Sequence, residues 1–398
     1  MQAILRPVMH VQNISHPYKL VVTGVMIAGV LSLGGLGVAV CIELLRGPGG
    51  PPSSHEPSNM PPPELPKEET PDRHETLAQS TDAQLRLLAA YEQRLGRGFS
   101  HNMLFADIPA AGQDISERVT RMAGILKEHE RQGITPLVVF EPEKLDLRSV
   151  DKKTFEEYFA ALKANGITDK EIGMWMLFPE PNIPEWSDPE ADLGNTDPKL
   201  FVQNFTMAAA ALKQTFPKAQ TMLLLNGATY PSYDIHYTKG SFAKEDLLQY
   251  AQGLDRKLVD AVGLQGFPWG EQGDSLDYDP AVFLDADLAI ALAKQLKIEK
   301  VWLNSGTFSS MYDWDPSRRV TVTDDLRGRI LNGIAKQAEQ VQNAGLAVTV
   351  NIFAEDKTAT EANWSYDTDA SWEVFQRFAD RIEDRGIGLA FFDTPKIK

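Results

Sequence analysis

Eight short apolar runs rich in β-forming residues recur along most of the chain, each separated from the next by a longer stretch of helical periodicity. They are NMLFADI (102–108), TPLVVF (135–140), IGMWMLF (172–178), TMLLLNG (221–227), VDAVGLQGF (259–267), KVWLNSG (300–306), LAVTVNIF (346–353) and IGLAFF (387–392). Parallel strands need a long crossover, usually a helix, so this alternation is the mark of βα units. Segments such as ISERVTRMAGILKEH, LFVQNFTMAAAALKQTF and ASWEVFQRFADRIEDRG supply the amphipathic crossovers. Eight units over about 300 residues predict an α/β fold, a (β/α)8 TIM barrel, within residues 73–398. An open, doubly wound sheet is the runner-up, weakened because no G-x-G-x-x-G follows the first run and no phosphate-loop motif occurs.

The charge balance narrows the partners. The 398 residues carry 39 Lys and Arg against 55 Asp and Glu, a net charge of −16, which argues against nucleic acid held on a basic patch. A single cysteine, Cys41, excludes an intrachain disulfide and a cysteine-cluster metal site. No cofactor is implied.

The N-terminal region has its own organisation. Residues 20–42, LVVTGVMIAGVLSLGGLGVAVCI, are uncharged, and at about 1.5 Å per residue they reach about 34 Å, enough to cross a membrane. They predict a transmembrane helix; the apolar stretch is longer than a cleaved signal uses, and no A-x-A site follows promptly. Acylation of Cys41 is disfavoured by Val40 before it. Arg6 and Lys19 precede the span and Arg46 follows it, so residues 1–19 are expected in the cytoplasm and the C-terminal domain outside the cell membrane. Within the expected linker, residues 43–72, the stretch 47–72 holds nine of the 25 prolines, the composition of a semi-rigid stalk.

In a TIM barrel the chemistry sits where strands end at their C-terminal side. There the chain offers Asp107, Glu141, Glu180 with Asn182, Asn226, Gln265 with Trp269, Asn304, Asn351 with Glu355, and Asp393. Carboxylates, amides and indoles suit a sugar-binding cleft, because hydroxyls pair with the first two and sugar faces pack on the third. The bland alternative, solvated rim charges and helix caps, accounts for part of such a set. His101 and His236 are too few for a histidine metal site and are expected to be structural or solvated. No G-x-S-x-G elbow is present. Carboxylates alone could hold a hard cation, which leaves a metal-assisted lyase as a rival.

The sharpest segment is MWMLFPEPNIPEW (174–186), an apolar run that breaks at Pro179 and presents Glu180, Asn182 and Trp186. Here the chain resembles the retaining clan of (β/α)8 glycoside hydrolases, most of all glycoside hydrolase family 26. TPLVVFEPEK, VDAVGLQGFPWG, NIFAEDK and NWSYDTDASWEVFQRF look similar to that family's segments, over roughly residues 100–380. The resemblance implies an acid/base glutamate on the fourth strand and a glutamate nucleophile on the seventh. The run count, however, puts Glu180 on the third. Aligning on the similar segments instead makes RGFSH (97–101) a short first strand and IGLAFF an addition, and places the nucleophile at Asn304, an amide that cannot form a glycosyl intermediate.

The resulting expectation is a membrane-anchored, glycoside-hydrolase-like barrel acting on polysaccharide or oligosaccharide through two carboxylates. Glu180 is the expected general acid, its pKa raised under Trp175 or Trp186, and Glu355 or Glu271 the expected partner. Asp107, Glu141 and Asn304 are expected to contact hydroxyls, Asn182 to orient substrate, and Trp186 and Trp269 to stack on sugars. The alternative is a glycan-binding barrel impaired as a catalyst by Asn304.

Overall fold

The structure, a computed structural model, describes residues 88, 90–142, 146–182, 197–227, 244–267, 281, 283–307, 310–311, 320–354, 366 and 368–392. The expected tail, membrane span and linker lie outside the described residues, as do Trp186, His236, Trp269, Glu271, Glu355 and Asp393. Among the described residues no helix is long and apolar enough to cross a membrane.

All eight apolar runs form strands: β1 (His101–Ile108), β2 (Thr135–Pro142), β3 (Met174–Leu177), β4 (Gln220–Asn226), β5 (Ala261–Gln265), β6 (Lys300–Gly306), β7 (Ala347–Phe353) and β8 (Gly388–Phe392). Each pairs in parallel with its neighbours in chain order, and β8 also pairs with β1, so the sheet closes. Closure rules out the doubly wound alternative. It also corrects the register implied by the family resemblance. Gly388–Phe392 is the eighth barrel strand and not an addition, and residues 97–100 are not a strand. Glu180 therefore follows the third strand, and Asn304 lies on the sixth.

Among the described residues six helices of more than two turns pack outside: α1 (Ser116–Arg131), α2 (Lys152–Ala164), α3 (Pro198–Thr215), α4 (Ala286–Leu296), α5 (Asp324–Asn343) and α6 (Asp369–Asp384). Most start where the sequence places an acceptor for the unsatisfied first-turn amides. Asp151, Asp197, Asp285 and Thr323 accept from backbone N–H groups of α2, α3, α4 and α5, and Thr368 forms a capping box with Ser371 at α6. Among its described residues the β4–β5 crossover carries the short helix Lys244–Leu247 and 3-10 turns after it. Before β1, a helical segment ending at residue 95 docks on α6 and β8, with the Tyr91 ring against Trp372, Phe375 and Phe391.

Strand alternation divides every run between two environments. Outward residues meet the helices: Phe140 and Trp175 pack with Tyr158 and Phe159 of α2, and the Trp175 indole donates to the Ile172 carbonyl at 2.6 Å. Inward residues fill the barrel in layers set by strand register. Leu224, Gly263, Trp302, Thr349 and Gly388 form one row of register partners from β4 to β8. Gly263 makes it possible, since a Cβ there would lie 2.7 Å from Leu224 Cδ1 and 3.3 Å from Trp302 Cβ. The next inward row along the strands is a belt of carboxamides, Asn226, Gln265, Asn304 and Asn351, paired strand to strand from β4 to β7. Asn304 Nδ2 lies 3.8 Å from Met176 Sδ of β3, and Asn351 Nδ2 lies 3.4 Å from Met103 Sδ of β1, contacts that span the interior.

Candidate active site

The C-terminal mouth over β1–β3 is acidic where the mouth over β4 and β5 is amidic. Asp107 and Glu141 are register partners on β1 and β2, so their side chains point the same way into the barrel. The third carboxylate comes from the segment that leaves β3. Phe178 continues the ladder by donating its N–H to the Phe140 carbonyl at 2.8 Å. Phe178 and Glu180, on either side of Pro179, both adopt φ of 53°. Left-handed backbone is unfavourable for such residues by about 1–2 kcal/mol each, and it persists only where surroundings enforce it.

Those surroundings are explicit. Glu180 N–H donates to the Leu224 carbonyl at 2.9 Å, and Tyr250 OH donates to the Pro181 carbonyl at 3.2 Å. Asn182 accepts from Asn226 N–H at 2.9 Å and donates to the Asn226 carbonyl at 3.1 Å. Asn182 is fully buried, so the expectation that it orients substrate is corrected: both ends of its amide hold the backbone of β4.

The Glu180 side chain is thereby aimed across the mouth. Its Oε1 accepts from Asn226 Nδ2 at 2.7 Å and its Oε2 from Gln265 Nε2 at 2.8 Å. Burial pushes its pKa up to about 7, against the pull of these two donors, which favour the charged form. Trp175 has no part in this, because it faces the helices on the outside of the barrel. Glu141 is buried, and its carboxyl is pushed to about 8, first by burial and then by the charges of Asp107 and Glu180. The Asp107 charge also acts on Arg121 of α1, whose guanidinium burial holds below its usual range. The pKa of both Glu141 and Glu180 is thus raised toward neutral pH, the range in which a carboxyl group serves acid and base work.

Asp107, Glu141, Glu180, Asn226 and Gln265 thus share one end of the barrel, whereas Asn304 and Asn351 lie deeper in the interior, 2 % and 1 % exposed. Asn226 and Gln265 stood in the sequence merely as strand ends; their common partner is invisible there because it lies 46 and 85 residues away. Arg327 carries no signal in the sequence, where it stands as one cation of the helix α5. It is buried after β6, with its guanidinium 4.3 Å from the Tyr366 ring and its Nε donating to Thr307 Oγ1 at 3.3 Å.

A cavity of about 250 Å³ lies at the opposite, N-terminal end of the barrel, lined by His101, Gln220, Lys300 and Trp302 among others. Burial and Lys300 lower the His101 pKa to about 4, so the ring is neutral at pH 7, and no carboxylate lines this cavity. Among the described residues no group of three or more His, Cys, Asp and Glu side chains is placed to hold a metal ion.

No protein-family model and no curated protein match the chain. Solved structures similar to it include an apo beta-glucosidase, at 12% identity over 75% of this chain and 89% of that one, with a TM-score of 0.49. The endo-1,4-beta-mannanase of Rhizomucor miehei is 14% identical over 79% and 92% of the two chains, with a TM-score of 0.48. The arginine decarboxylase of Paramecium bursaria Chlorella virus is 7% identical over 80% and 63%, with a TM-score of 0.36. The barrel itself rests on the strand register described above.

Proposed function

We propose that the barrel hydrolyses glycosidic bonds of a polysaccharide or oligosaccharide, with Glu141 and Glu180 as its two carboxyl groups. One observation carries this: two glutamates at the catalytic end of a TIM barrel, both with raised pKa, in contrasting surroundings. Glycoside hydrolysis needs one carboxyl that holds a proton and one that does not. Glu141, buried beside Asp107, is the proton donor to the leaving oxygen. Glu180, with an amide N–H on each oxygen, is the ionised nucleophile or base. This assigns Glu180 the role opposite to the general acid expected from the sequence. Asp107 binds a sugar hydroxyl, Trp186 and Trp269 stack on sugar rings, and Glu355 is the alternative second carboxyl. Residues 20–42 anchor the chain in the cell membrane with the barrel outside, a reading supported by the length and lack of charge of that stretch.

The test is release of reducing ends from β-mannans, β-glucans and xylans by the full chain and by Glu141→Gln, Glu180→Gln and Glu355→Gln. Loss in the first two supports the assignment. Loss in Glu180→Gln and Glu355→Gln with activity kept in Glu141→Gln moves the second role to Glu355. Inactivity of the wild type on every substrate, with retention on a glycan array, supports the second reading, a binding barrel.

A further inference from the structure

A carboxamide has two unlike ends, and the end it turns toward a carboxyl group decides which protonation state it favours. An N–H stabilises the carboxylate, whereas a carbonyl requires the acid form. Gln265 turns its Nε2 to Glu180, so the carboxylate is favoured. What keeps Gln265 in that orientation lies on the next strand. Asn304, its register partner, directs Nδ2 at Gln265 Oε1 at 3.5 Å and at Met176 Sδ at 3.8 Å, a weak acceptor. Reversing Gln265 would set its N–H against Asn304 N–H and its carbonyl against the Glu180 carboxylate, two repulsive contacts. Reversing Asn304 would set its Oδ1 against Gln265 Oε1. The three side chains thus form one polarised chain, Asn304 to Gln265 to Glu180. Among the described residues the charged groups at the same mouth are Asp107 of β1 and Glu141 of β2, while β4 and β5 present the neutral amides Asn226 and Gln265 there and Asn304 and Asn351 lie deeper on β6 and β7.

We propose that Asn304 is a positioning residue that acts through Gln265, keeping an N–H and not a carbonyl turned toward Glu180, and so keeps Glu180 available in its ionised form. The inference rests on the proposed role of Glu180 as the ionised partner, but its test does not depend on turnover. The full chain, labelled with ¹³C at glutamate Cδ, is titrated by NMR, and the Glu180 signal is identified by its loss in Glu180→Gln. Asn304→Leu should raise the Glu180 titration midpoint by about one pH unit, the size expected when a hydrogen bond to a charged group is weakened. Asn304→Ala removes the same amide without added bulk, and carries the measurement if the leucine variant does not fold. In a Gln265→Met background, where the midpoint is already raised, neither Asn304 substitution should move it further. An unmoved midpoint in the folded Asn304 variants overturns the proposal, as does an equal shift with and without Gln265. A wild type that binds but does not cleave glycans overturns the proposed reaction while leaving this titration intact.

Discussion

Asn182 and Asn226 exchange two hydrogen bonds, from the Asn226 N–H to Asn182 Oδ1 at 2.9 Å and from Asn182 Nδ2 to the Asn226 carbonyl at 3.1 Å. The same Asn226 donates its side chain to Glu180 at 2.7 Å, so a closed circuit links the strained segment after β3 to the end of β4. Removing the clamp with Asn182→Ala leaves a buried N–H and carbonyl unsatisfied, at about 1–3 kcal/mol for each group. The expected result is a lower midpoint in urea, together with turnover reduced because Glu180 is no longer held. Asn182→Ala with unchanged stability would show that the clamp does not bind the two strands together.

Glu180→Gln should act on function more than on folding. The side chain sits beyond the end of β3 and is half-buried, so losing its charge leaves the barrel layers untouched. Turnover is expected to fall by about 10²- to 10⁴-fold, the usual range for a positioned acid or base, with the melting temperature within a few degrees of wild type. Thermal melting and reducing-end assays on the same preparation check both halves.

Glu141 makes stability depend on pH. Its carboxyl titrates at about 8 when folded, against 4.5 ordinarily. Below about pH 4.5 folded and unfolded chains both hold the proton, and its contribution is fully present. Between 4.5 and 8 the folded chain holds a proton that the unfolded chain has released, so stability falls as pH rises. Glu180 acts in the same direction up to about 7. Glu141→Gln should therefore melt higher than wild type at pH 9 and show a flatter dependence between pH 5 and 9. Scanning calorimetry across that range reads the difference.

Gly266 and Gly227 admit the backbone of Phe283 to the mouth of β4 and β5. A Cβ on Gly266 would lie 2.0 Å from the Phe283 carbonyl oxygen, and one on Gly227 2.6 Å from the same atom. The obstacle is backbone, which cannot rotate aside as a side chain can. Gly266→Ala should be destabilising by about 1–3 kcal/mol, the range for overpacking, and should disturb the adjacent Gln265 amide. Denaturant unfolding measures the first effect, and the Glu180 titration the second.

Removal of residues 1–46 should convert a membrane-bound chain into one recovered in the soluble fraction with its activity. Recovery of the wild-type protein in that fraction, with its N-terminus removed, would instead mark residues 20–42 as a signal peptide.

The sequence determined by itself the number and order of the barrel strands, because each of the eight apolar runs is long enough to fill one strand and most are separated by a helical pattern. Strand-end position also singled out Asp107, Glu141 and Glu180, since a TIM barrel gathers such residues at one mouth. Cap residues such as Asp151 and Thr323 are local features of the same kind. Neighbour relations between distant strands were decided only by the closed barrel. Closure put β8 between β7 and β1 and overruled the family alignment that treated it as an addition. Register brought Asn226, Gln265, Asn304 and Asn351 into one belt, although nothing in their sequence spacing pairs them. Burial decided chemistry in the same way. Asn182 and Glu180 stand two residues apart in one proline-rich loop, yet one is sealed against β4 as a clamp and the other faces the mouth as a titrating carboxyl, because the direction of a side chain leaving a strand is set by the backbone it packs against.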